Sequence, residues 1–105
     1  MLIAGPADAQ RMAREDSLGQ RLFILNLMMD CPGNLGAERL RSLVDRTREA
    51  ILRAVPGARG EGVIAGINSG LIVARSGLFF TGNRDDICRG LASIFTDAAA
   101  QAARE

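Results

Sequence analysis

The chain is 105 residues long, 48% hydrophobic and 24% charged, with a net charge of +1. That balance suits one globular domain with a thin core, and it excludes global disorder and a strongly basic nucleic-acid binder. Lys, His, Tyr and Trp are all absent, which removes Ser-His and Cys-His nucleophile pairs, His metal ligands, Schiff-base lysines and phenolic acids as routes to catalysis.

Met1 to Pro6 has no basic n-region and too short an apolar run for a signal peptide, and no stretch reaches the length of a membrane span. The expectation is a chain made and folded in the cytoplasm, with no membrane partner. Residues 1–19 read as an N-terminal arm or a weak, Ala-rich helix, with Met12, Ala13 and Leu18 on a narrow apolar stripe and Gly19 as its end. Residues 20–105 read as a single α+β domain.

Residues 21–29, RLFILNLMM, are apolar at alternating positions on both faces, which predicts a central strand covered on two sides. The turn residues Asp30 to Asn34 stop it. Residues 36–55 predict a long amphipathic helix. Leu40, Leu43, Val44, Thr47, Ile51 and Val55 share one side, Asn34 is a candidate N-cap, and Pro56-Gly57 ends it. Residues 62–81 are punctuated by glycine and rich in β-branched residues. They predict a hairpin turning at Asn68-Ser69-Gly70, with a bulge at Ser76-Gly77. A last helix starts near Asp85, with Ile87, Leu91, Ile94, Phe95, Ala98 and Ala102 on its apolar face; the tail from Ala98 to Glu105 is expected to fray. The expected fold class is therefore α+β: a small mixed or antiparallel sheet packed by a long amphipathic helix, with helices at both ends.

Few constellations suggest chemistry. Gly57, Gly60, Gly62 and Gly66 follow a helix and enter a strand, the reverse of a dinucleotide-binding turn, and no GK[ST] follows. Asp85-Asp86 reads as a helix-capping pair rather than metal ligands, and Asp30 as a turn residue rather than a general base. Cys31 and Cys88 show no CxxC spacing. They read first as two separate buried thiols, with a disulfide as the alternative wherever the chain leaves a reducing cytosol. The expectation is a non-enzyme with no cofactor and no metal. All 13 basic residues are Arg, a bias that fits Arg-rich codon usage and also suits bidentate pairing with carboxylates. Arg39, Arg46 and Arg53 on the long helix, and Phe79 and Phe80 on the second hairpin strand, are the candidate oligomer or partner contacts.

From Gln20 to Thr81 the pattern QRLFILNLMMDCPGNLGAERLRSLVDRTREAILRAVPGA, followed by LIVARSGLFF, resembles the core of phage tail-terminator and tail-completion proteins. The resemblance is one of strand, Gly-bearing loop, helix and aromatic hairpin. It implies a non-catalytic virion subunit from a bacterial host. Such a subunit forms a homo-oligomeric ring, a hexamer in the favoured case, between the tail tube and the head-tail connector. Two other readings stand beside it. One is a small dimeric secretion chaperone or adaptor. The other is a tautomerase-like enzyme, disfavoured because its N-terminal proline would be Pro6, five residues inside the chain.

Overall fold

The computed structural model describes residues 6–31, 35–80 and 82–105; for residues 6–9, 11, 12 and 78–80 it describes the backbone alone. Five helices follow in chain order: α1 (Pro6–Met28), α2 (Ala37–Ala54), α3 (Ala58–Phe80), α4 (Arg84–Gly90) and α5 (Ala92–Ala102). Among the described residues there is no strand. The α+β expectation is therefore overturned, and the fold is all-α.

The predicted strand at 21–29 falls in the C-terminal part of α1, with Met29 in the turn that follows. Its apolar residues do fall at helical spacing once Leu18 is counted with them. Leu18, Leu22 and Leu25 (i, i+4, i+7) are fully buried, and Leu27 and Met28 nearly so. Both faces of the segment are apolar because α1 is the central helix: it packs against α2, α3 and α5 at once. Gly19, expected to end a helix, lies inside α1 instead. A Cβ there would stand 3.6 Å from Ile67 Cδ1, so Gly19 marks where α3 rests on α1.

The predicted hairpin at 62–81 is also helical as far as Phe80, and Thr81 lies outside the described residues. Glycines at 62, 66, 70 and 77 each disfavour a helix interior by about 0.5–1 kcal/mol relative to Ala. Burial at helical spacing overrides them. Ile64 and Leu71 are buried and Ile67 is half-buried, and all three project to one side of α3. The expected turn residue Ser69 donates its hydroxyl to the Ala65 carbonyl at 3.1 Å, one turn back. Among the described residues, helices stand in place of both the expected strand and the expected hairpin.

The long amphipathic helix is present as α2. Leu40, Leu43, Val44, Thr47, Ala50 and Ile51 are buried, and Val55 follows them into the core. Thr47, fully buried, donates its hydroxyl to the Leu43 carbonyl at 2.9 Å, so no polar group is left orphaned there. The candidate N-cap Asn34 lies outside the described residues; the observed N-cap is Gly36, at φ 96°. Val55 closes the last turn through its N–H to the Ile51 carbonyl at 2.8 Å, and Gly57 at φ 61° redirects the chain into α3. Three residues on, a Cβ at Gly60 would come within 2.8 Å of the Val55 carbonyl oxygen. The α2–α3 corner therefore closes tightly only because that position lacks a side chain.

The last predicted helix is two. Asn83, rather than the Asp85-Asp86 pair, caps α4: its Oδ1 accepts from the N–H groups of Asp85 (2.9 Å) and Asp86 (3.3 Å), and the two acids stand in the first turn of the helix. The axis breaks at Leu91, and α5 then buries Phe95, Ala98, Ala99 and Ala102. Ile94, expected on the apolar face, is 46% exposed. The tail does not fray, since Ala102 is fully buried and Glu105 is held by two arginines. Cys31, just beyond α1, and Cys88 in α4 form a disulfide with a Cα–Cα distance of 5.6 Å, so the favoured reading of two free thiols is overturned.

Candidate functional site

The described polar groups are organised into structural clasps. Arg21 is 8% exposed, unusual for an arginine, because it turns inward between α1 and α5. It donates from Nη1 to Glu105 Oε1 at 2.5 Å and from Nη2 to Gln101 Oε1 at 3.3 Å. Arg14, nearly two turns earlier on α1, donates to Glu105 Oε2 at 2.9 Å. Arg46 donates to the Ala103 carbonyl at 3.1 Å. Together these bonds tie the end of the chain to α1 and α2. At the other end of α1, Asp30 pairs with Arg75, which also donates to the Asn26 carbonyl at 2.5 Å and so holds α3 against the turn after α1.

The Glu105 clasp carries a pH dependence. Burial raises the affinity of its carboxyl for a proton, but the hydrogen bonds and charges of Arg21 and Arg14 outweigh that, leaving it below its ordinary value of 4.5. A carboxyl depressed in the folded state stabilises above its unfolded value and loses that contribution as pH falls through the folded one. Glu105→Gln is expected to cost about 1–3 kcal/mol at neutral pH. Urea denaturation at a series of pH values should show the difference between the two chains closing as pH drops below that ordinary value.

The sequence-derived contact residues are not gathered into one site. Arg39, Arg46 and Arg53 are exposed along one stripe of α2, with Arg46 engaged by Ala103. Phe79 and Phe80 fall in the last turn of α3, and their side chains lie outside the described residues. Asp86 pairs with Arg89 on the surface of α4. No group of three or more His, Cys, Asp or Glu side chains among the described residues is arranged to hold a metal ion. None of the described helices is long and apolar enough to cross a membrane.

Two apolar surfaces stand out, and sequence reading anticipated neither. The first is the outer face of α3. From Gly62 to Ala74 the helix carries no charged residue. Gly62, Ala65, Gly66 and Ser69 leave its outer side low, while Ile72 and Val73 stand out at 71% and 73% exposure. The second is a groove of about 720 Å³ between α1 and α3, lined by Gly19, Phe23 and Ile24 of α1, Val63 and Ile67 of α3, and Val55, with Glu15, Asp16 and Gln20 on its α1 rim. The helical period that would reveal both surfaces is in the sequence, but it is hidden while the segments are read as strands. Compared with family models, with curated proteins and with solved structures, the chain shows no match.

Proposed function

We propose that this chain is a non-catalytic adaptor or assembly protein that works as a homodimer, with the outer face of α3 as its self-contact. The observation that carries the reading is the pair Ile72 and Val73, exposed at 71% and 73% on a face of small, uncharged residues. Isolated exposed aliphatics are ordinary on a protein surface; two adjacent ones beside a run of glycines are less so. The glycines point the same way. A Cβ at Gly62 or Gly66 would meet nothing within 4 Å inside this chain, so their cost to the helix gains no packing in the monomer. It gains packing when a second helix lies close.

The face is self-complementary. In an antiparallel pair with its two-fold axis at Ser69, Ile72 of one copy stands opposite Gly66 of the other, and Val73 opposite Ala65. Large residues meet small ones, and no like charges are brought together. Such a contact is isologous and yields a dimer, which favours the adaptor reading over a hexameric ring; a ring needs a second, heterologous surface. A chain without His, Lys or Tyr, whose described arginines at 14, 21, 75 and 89 are engaged in ion pairs, fits a role in holding partners rather than transforming them. Sedimentation velocity is expected to show a species of twice the 11.2 kDa chain mass. Val73→Asp should convert it to monomer with its helical circular dichroism unchanged. A monomeric parent chain, or a dimer indifferent to Val73→Asp, would overturn the reading.

A further inference from the structure

The stretch of α3 that carries Ile72 and Val73 is one its own sequence supports weakly. Gly70 and Gly77 bracket it, and glycine disfavours a helix interior. Three tertiary anchors hold it. Leu71 is buried, Arg75 pairs with Asp30 and donates to the Asn26 carbonyl at 2.5 Å, and α4 packs against α3. The second and third anchors meet at one place, the end of α1, where Cys31 is bonded to Cys88 of α4. We propose, resting on the homodimer reading above, that the Cys31–Cys88 disulfide is a redox latch on that self-contact. The oxidised chain holds Ile72 and Val73 in place for dimerisation, and reduction by a dithiol loosens this end of α3 and releases the dimer.

The turn that the latch fixes is held weakly by everything else. Met29, Asp30 and Cys31 lie past the end of α1, and their N–H groups donate to the carbonyls of Asn26 (3.2 Å), Leu27 (3.2 Å) and Met28 (3.0 Å). Such three-residue bonds at a helix end are among the first to open. The side chains of Asp30 and Arg75 are 37% and 36% exposed, and an ion pair so open to water holds little by itself. The covalent bond is the strong tie. It joins two buried cysteines of the core cluster. Asp30 is the neighbour of Cys31, so fixing Cys31 also fixes the carboxylate that Arg75 grips.

The other side of the bond works to the same end. α4 has seven residues, well below the length at which a helix stands alone in water. Its bond to Cys31 keeps it against α3. The loop closed by the bond contains all of α2 and α3, and the Arg75 end of α3 lies beside the point of closure. Cutting the bond therefore weakens two of the three anchors at once and leaves Leu71 to hold a glycine-bracketed stretch.

Reduction is a two-electron exchange. Both cysteines are buried, so attack passes through an opening of α4. A thiolate of the dithiol attacks one sulfur of the bridge, and the other sulfur leaves and takes up a proton. The second thiol of the reductant then displaces the mixed disulfide, giving two cysteine thiols and an oxidised reductant. The chain has only two cysteines, so within one copy re-oxidation returns the same bond.

The test is sedimentation velocity on the oxidised chain and on the chain held in dithiothreitol, with circular dichroism and amide hydrogen exchange on the same samples. The oxidised chain is expected to be a dimer. The reduced chain is expected to keep most of its helical signal and to dimerise at least about 10-fold more weakly. It should also lose exchange protection at residues 71–77 while Ile64 and α2 keep theirs. Re-oxidation should restore the dimer. The double variant Cys31→Ser and Cys88→Ser should behave as the reduced chain and ignore dithiothreitol. Arg75→Ala should weaken the oxidised dimer in the same direction without touching the bridge. The exchange measurement repeated on the Val73→Asp chain reads the latch without any contribution from self-association. A monomeric oxidised parent would overturn the dimer reading and its regulation with it. Four other results would overturn the latch and leave the dimer standing: equal dimerisation in both redox states, unchanged protection of residues 71–77 in reduced Val73→Asp, a dimer indifferent to Arg75→Ala, or wholesale loss of helix on reduction.

Discussion

Replacing Cys31 and Cys88 together by serine is expected to lower the unfolding free energy by about 4 kcal/mol, the loop-closure value for a bridge of this span. The bridge joins residues 57 positions apart, and that separation sets the size of the effect. Cross-linking the denatured chain over such a loop removes much of its conformational freedom, which raises the free energy of the unfolded state. The position adds to this. α4 is only seven residues long and makes limited contact with α3 and α5, so the disulfide is its main tether to the end of α1. Both cysteines are buried in the same core cluster, so reduction also leaves two thiols where a compact bridge had been. Equilibrium urea unfolding of the parent and double-serine chains checks the magnitude. The parent treated with reductant should move toward the double-serine curve, because the same bond is lost by either route. Protection of α4 amides against hydrogen exchange should fall first, and that of α1 and α2 least. Such a bond persists where thiols are not kept reduced, so the stability of this fold depends on its redox surroundings.

Leu22→Ala is expected to cost about 2–5 kcal/mol, the range for truncating a fully buried leucine. Leu22 is at 0% exposure on the central helix, between Leu18 and Leu25, also at 0%, and in the same core cluster as Leu40, Leu43 and Ile51 of α2. A cavity there weakens the packing of α1, the helix on which α2, α3 and α5 converge, so the upper half of the range is the expectation. Ile72→Ala is the matched control. Its side chain is 71% exposed, so the same kind of truncation should change monomer stability by less than about 0.5 kcal/mol. Thermal or urea unfolding of the two variants in the Val73→Asp background, where dimerisation does not contribute, gives the comparison.

α2 could be read directly because its apolar and charged residues alternate with a clean helical period and its ends carry recognisable stops at Pro56 and Gly57. The start of α4 was legible in part: Asp85 and Asp86 marked a helix beginning, while its cap is the Asn83 side chain, two residues earlier. The composition likewise limited the chemistry available, because no fold restores a His or Lys that the chain lacks.

α1 and α3 were not legible in the same way. A short apolar run such as 21–29 has the same appearance in a two-sided strand as in a central helix, and periodicity cannot separate them until the partners on each side are known. In α3 the local propensity of Gly62, Gly66, Gly70 and Gly77 favours turns, and it is overridden only when α3 packs against α1 and α2 with Ile64 and Ile67 in the core cluster. The Cys31–Cys88 bridge, the Arg21–Glu105 clasp and the groove all join residues far apart in the chain, 57 and 84 positions in the first two cases. The residue types were visible in advance, but their proximity was not. Proximity depends on which apolar faces bury one another, and that is decided by the packing of five helices together rather than by any one segment.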